Sequence, residues 1–262
     1  MSRFPLTISL AAFAMALSAC AKDTPVVQVK GDCAVAYQGE VCTWAMMQGT
    51  TVLEVGATIP MASIRNAPDD EHMAWPPVPA VAPLMPESAQ SQAGLTHLTM
   101  FWEAMGHPPG PYLTPHFDFH FYTIPPAERA AIDCADETKP SAIPAEYSMP
   151  DLTLPPEMAE MAGVGTLIGM CVPQMGMHSV LTSELESTEI FRGSMIIGYY
   201  RGKPIFIEPM LTRALLMEKQ SFDLPIPEIP GLDTAHPRVF RAEYDPEHEA
   251  YNFVFTDFAP GA

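Results

Sequence analysis

Basic residues are scarce in this chain: 13 lysines and arginines stand against 31 aspartates and glutamates, a formal net charge of −18. That balance repels nucleic-acid phosphates and anionic lipid faces, so neither is expected as a direct partner. Beyond the first twenty residues no apolar run approaches the roughly 20 residues a membrane-crossing helix needs. A Gly-x-Ser-x-Gly elbow is missing, which removes the usual serine-hydrolase reading. A P-loop and a Gly-rich dinucleotide fingerprint are missing too. The five cysteines show none of the spacings of a zinc finger.

What the first twenty residues do contain is an address. They read MSRFPLTISLAAFAMALSAC, with Arg3 ahead of an uncharged apolar run from Leu6 to Leu17. A short apolar run behind a cation is the secretory pattern. Leu17-Ser18-Ala19-Cys20 matches the bacterial lipobox, in which small residues enter the peptidase and the thiol accepts diacylglycerol. The expected organisation is a lipoprotein signal peptide over 1–19, a lipidated Cys20 with a tether over 20–31, and a single β-rich domain over 32–262. Ala21 rather than Asp after the lipid site favours the outer membrane of a Gram-negative envelope. The membrane is then a partner through the lipid anchor.

With Cys20 lipidated, Cys33, Cys42, Cys134 and Cys171 remain, an even count that in an oxidising compartment reads as two disulfides. Cys33 and Cys42 flank a hairpin turn at Gln38-Gly39, and Cys134 with Cys171 would close a Pro-rich excursion. The two other pairings satisfy the count equally. Twenty-nine prolines argue against long helices. The 18 methionines invite a copper reading through their soft thioethers, against their commoner use as gap-fillers in cores.

Hairpins punctuate the chain. One is read over 41–60, breaking at Gln48-Gly49. The clearest spans 194–210 around Arg201-Gly202-Lys203, and a last one spans 237–258 around Asp245-Pro246-Glu247. Residues 66–94 read as a long loop, 95–105 as a strand, and 133–170 as mostly irregular. Few helices and many turns predict a mainly β fold, an antiparallel barrel or sandwich built from hairpins with one or two short helices.

Residues 115–122, PHFDFHFY, alternate strictly and so form a strand. Phe117, Phe119 and Phe121 share one face; His116, Asp118 and His120 share the other. Two further segments carry ligand-type side chains: His178 in Met-Gly-Met-His, and Glu208 inside an apolar run, where a carboxylate must be paired, liganded or protonated. Histidine and carboxylate together suit zinc, iron, manganese or copper. A strand rises about 3.3 Å per residue, which puts His116 and His120 roughly 13 Å apart along it. One ion is therefore expected to use Asp118 with one flanking histidine and His178, with Glu208 as a further ligand, while the other histidine stands behind it or serves another pocket. Asp118 can equally orient a ligating histidine instead of binding. His107, in a Gly-Pro loop, is expected to support the site from outside. A polar ladder that binds nothing is the competing reading of the same face. His72, His97, His236 and His248 follow no pattern and are read as surface residues.

These motifs resemble a bacterial domain family of unknown function found in secreted and envelope proteins. The likeness rests on Gly106–Pro109 (GHPP), Pro115–Tyr122 (PHFDFHFY), Met175–His178 (MGxH) and Glu208–Met210 (EPM). It spans about 31–258, weakly before 95, and implies a shared fold and polar site. Relatives carry an aromatic directly after the MGxH histidine and an Asp two positions further on; Ser179, Val180 and Leu181 replace that pattern here. No motif specifies a reaction. Two roles follow: an envelope lipoprotein with a His/carboxylate metal site, or a non-catalytic binding or assembly module of the cell envelope, with a homo-oligomer as one form of the latter.

Overall fold

The computed structural model describes residues 24–70 and 74–259. Two six-stranded antiparallel sheets pack face to face. In chain order the strands are β1 (Val26–Ala36), β2 (Gly39–Gln48), β3 (Thr51–Pro60), β4 (His97–Glu103), β5 (His116–Tyr122), β6 (Tyr147–Ser148), β7 (Leu152–Thr153), β8 (Thr166–Leu167), β9 (Met177–Leu181), β10 (Gly193–Tyr200), β11 (Lys203–Thr212), β12 (Phe222–Pro225), β13 (His236–Asp245) and β14 (Ala250–Ala259). The first sheet runs β1-β2-β3-β14-β13-β12 and the second β4-β5-β11-β10-β9-β6; β7 and β8 form a separate ribbon. Both large sheets are open, so the fold is a sandwich and the barrel alternative is corrected. Among the described residues six short helices join them, none longer than seven residues, where the sequence marks one or two. Among the described residues no helix is long and apolar enough to cross a membrane.

Turn chemistry explains the hairpins. Tyr37 and Gln38 both take positive φ between paired Ala36 and Gly39, and Arg201 and Gly202 do the same between Tyr200 and Lys203. Two consecutive positive φ values give the twist that two-residue hairpins require. β1 begins at Val26, so the stretch read as tether to residue 31 already belongs to the sheet. Cys33 lies directly across from Cys42 and is bonded to it, and Cys134 is bonded to Cys171. Cys20 and the signal segment lie outside the described residues, as does His72.

The aromatic face of β5 forms the centre of the core. Phe119 meets Phe253 at 4.8 Å between ring centroids, Phe121 meets Phe255 at 4.7 Å, and Phe240 closes on both β14 rings. Each fully buried Phe contributes about 1.5–3 kcal/mol. The opposite face of the second sheet is not solvent-facing. The loop over 104–114 and the connections between β5 and β10 outside strands β6 and β9 fold against it, joined to the sheet by a second apolar cluster that includes Tyr112, Ile132, Met170, Val180, Phe191 and Phe206. The Cys134–Cys171 bond staples this cover. The His-Asp-His face of β5 is therefore buried between sheet and cover.

Candidate metal centre

Register decides which side chains meet. On β11, Ile207 faces Phe121 and Met210 faces Asp118, which brings Glu208 across from His120. Two strands further on, His178 faces Gly198, and Gly198 faces Phe206. With no side chain at Gly198, the Phe206 ring lies over that strand; a Cβ there would overlap it. Phe206 then supports both imidazoles, His120 at 4.6 Å and His178 at 5.2 Å.

Two groups of ligand-type atoms result, each within 4.8 Å of one another: His120, His178 and Glu208, and His107, His116 and Asp118. The structure thus separates Asp118 from His178 and Glu208 and sends His116 and His120 to different groups. His107 stands with His116 and Asp118 rather than behind a site. The third grouping of this type, Cys33, Glu40 and Cys42, has both sulfurs tied in a disulfide.

In the first group His178 donates Nδ1–H to the Met170 carbonyl at 2.9 Å, leaving Nε2 with a free lone pair. His120 Nε2 is 3.5 Å from Glu208 Oε2. Neither ring nitrogen of His120 has a hydrogen-bond partner, nor does Glu208 Oε2, and all three atoms are buried. Burial drives the His120 pKa well below its ordinary value, and His178 beside it adds to the effect. Burial lowers His178 to about 4. Burial also raises Glu208 well above the carboxylate range, helped by the charge of Asp118. Leaving such polar atoms unpaired costs about 1–3 kcal/mol each.

In the second group His116 donates Nδ1–H to the Thr114 carbonyl at 2.7 Å and His107 donates Nδ1–H to the Pro108 carbonyl at 2.8 Å. The two Nε2 atoms face each other at 3.2 Å, with Asp118 at 3.3 Å from His116 and 3.7 Å from His107. Burial works to lower His107, but the hydrogen-bonded Asp118 carboxylate and Glu103 outweigh it and raise it to about 9. Burial likewise works to raise Asp118, and His116 and His107 hold it well below its ordinary value.

Both groups open on one cleft. Glu103, His107, Asp118, His178 and Glu208 line its polar floor, and Leu152, Met158, Met170 and Ile196 are among its apolar walls. Among the described residues, no lysine or arginine lines it. Glu208, whose Oε2 is buried without a hydrogen-bond partner, leaves its charge to a proton or to a bound metal ion. Histidine and carboxylate donors without thiolate fit zinc, iron, manganese or copper. Met170, Met175 and Met210 on the walls are themselves buried.

Sequence reasoning missed three participants. His97, read as a surface residue, is buried and stacked on Tyr122 at 4.8 Å. Glu103 pairs across from His116 and reaches the cleft. Period-two alternation in β4 was the signal for both, since it sets His97, Thr99, Phe101 and Glu103 on one face. Glu184 accepts from Tyr112 and Ser194, both at 2.8 Å, and so pins the loop carrying His107 to the sheet. No local pattern marks it. Of the other histidines read as surface residues, His248 is exposed and His236 half-buried.

No family model, curated protein or solved structure matches the chain.

Proposed function

We propose that this chain is a lipid-anchored protein of the bacterial cell envelope, tethered to the outer membrane, whose sandwich binds a transition-metal ion at His120, His178 and Glu208. One observation carries the metal reading: ligand-type atoms of His120, His178 and Glu208 converge within 4.8 Å of one another, and the buried His120 ring nitrogens and Glu208 Oε2 lack hydrogen-bond partners, beside a cleft that no lysine or arginine lines among the described residues. Two histidines and one carboxylate leave open the remaining positions of a zinc or iron shell, the arrangement of catalytic rather than structural metal sites. When bound, such an ion acts as a Lewis acid and lowers the pKa of coordinated water. The chain's own part is to fix the His178 tautomer through Met170, to hold Glu208 against His120, and to exclude water with the Met-rich cover.

The lipobox at Leu17–Cys20 and the resemblance to envelope proteins support the address. From Cys20 to the start of β1 at Val26 is six residues, which reach at most about 20–22 Å, so the sandwich would sit close to the lipid. Elemental analysis of purified protein before and after chelation tests the metal. A metal-free protein from metal-replete cells, unchanged in stability by chelator, would count decisively against it. Fatty-acid labelling tests the address: incorporation should be lost in Cys20→Ala.

One observation favours assembly as a second role. β1 is an edge strand, and Val26, Val27 and Val35 on it are 47 %, 48 % and 68 % exposed. Exposed apolar edges are templates for pairing with another copy. Light scattering of the lipid-free domain, wild type against Val27→Lys, should show a homo-oligomer that the lysine disrupts.

A further inference from the structure

We infer that the cleft holds a second transition-metal ion, on His107, His116 and Asp118, independent of the first. The inference rests on the metal reading proposed for His120, His178 and Glu208, and extends it to a group of different construction. Each imidazole of this second group commits its Nδ1–H to a backbone carbonyl, Pro108 for His107 and Thr114 for His116. Carbonyl partners of this kind fix the tautomer of metal-ligating histidines and aim the other nitrogen at the ion.

Those two Nε2 atoms lie 3.2 Å apart, and the Asp118 carboxylate reaches both, Oδ1 at 3.3 Å from His116 and Oδ2 at 3.7 Å from His107. Bonds of about 2.0–2.1 Å at tetrahedral angles separate neighbouring ligand atoms by roughly 3.3–3.4 Å. The contact between the two Nε2 atoms and that between His116 Nε2 and Asp118 Oδ1 lie close to that edge. Two imine lone pairs at such a distance repel unless a cation, a proton or a metal, lies between them. Asp118 Oδ1, the oxygen that faces His116, is buried and accepts no hydrogen bond.

The two groups stay separate because of the strand that carries them. Asp118 and His120 are two residues apart on one face of β5, about 6.6 Å along the strand. A bridged pair of ions stands only about 3.5–4 Å apart. Each ion therefore keeps its own ligands, while both face the same cleft. Half-exposed His107, in the loop at its mouth, provides the entry.

The test is stoichiometry on the intact domain. Metal-free protein is loaded with zinc, passed through a desalting column and analysed for zinc and protein. Wild type should carry two ions per chain. His107→Gln, in a loop with its ring partly exposed, should keep its near-ultraviolet circular dichroism and carry one; His178→Gln should also carry one. X-ray absorption of the loaded wild type should show an average of two imidazoles per zinc, which needs no variant. A single ion that His178→Gln removes and His107→Gln does not would overturn this inference and leave the first site standing. No ion at all would overturn both. Two ions persisting in His107→Gln, or fewer than two imidazoles per zinc, would also overturn it.

Discussion

Glu208→Gln separates a metal site from a buried ion pair, because the two assign opposite costs to the same change. Glu208 is 2 % exposed, and burial with the nearby Asp118 charge raises its pKa well above the usual carboxylate range. Below that raised pKa the metal-free side chain is neutral, and there a glutamine of the same shape should change stability by no more than about 1 kcal/mol. Were it a charged partner of His120, 3.5 Å away, its removal would cost about 3–5 kcal/mol. With metal the prediction reverses. An ion present at 1,000 times its Kd stabilises by about 4.1 kcal/mol. A hundredfold loss of affinity on losing the carboxylate removes about 2.7 kcal/mol of that. For a domain of this size 1 kcal/mol shifts Tm by about 2–4 °C, so the zinc-induced rise should shrink by about 5–11 °C in the variant. The assay is calorimetry with zinc and with chelator, disulfides intact. pH adds a sign. A carboxyl raised in the fold stabilises below its unfolded value of 4.5, and that contribution fades as pH rises through the folded value. In chelator, wild type should therefore weaken relative to the variant as pH climbs above 4.5. A wild-type Tm indifferent to chelator, or a variant melting far below wild type in chelator, would refute the reasoning.

Three further outcomes are expected. Gly198→Ala should cost about 1–3 kcal/mol and weaken metal binding without touching a ligand, because its Cβ displaces the Phe206 ring on which His120 and His178 rest; unchanged zinc affinity by calorimetric titration would disprove that support. His97, lowered to about 4 by burial and by Arg129, stays neutral in the fold while the unfolded chain takes up a proton below 6.5. Its contribution of about 3 kcal/mol should therefore be lost between pH 6.5 and 4, and His97→Gln should flatten that part of the stability–pH curve in urea titrations. Cys134→Ser with Cys171→Ser opens a loop closed across 37 residues and should lower the denaturant-derived stability by about 3–4 kcal/mol. It should also weaken metal binding, since the Met170 carbonyl that orients His178 adjoins Cys171.

Much of the strand layout was legible because local chemistry carries it. The turns at Gln38, Gly49 and Gly202, the alternation of β5, and the Thr212 hydroxyl that accepts from Leu215 N–H to start a helix are all short-range. Cys33 and Cys42 follow from a hairpin that sets them opposite. The sequence by itself also determined the ligand chemistry: histidines and carboxylates at period two on a strand whose other face is aromatic, and a spacing too long for His116 and His120 to share one ion.

Tertiary structure alone decided how those residues divide. Asp118 was expected beside His178 and Glu208, yet the pairing of β11 with β5 puts Glu208 across from His120, and a loop brings His107 to His116 and Asp118. It also decided that the polar face is buried, under a cover stapled by Cys134–Cys171 whose short elements show no periodicity. The reason is physical. Alternation tells which face a side chain takes, whereas inter-strand register and the path of a Pro-rich cover depend on contacts far apart in the chain.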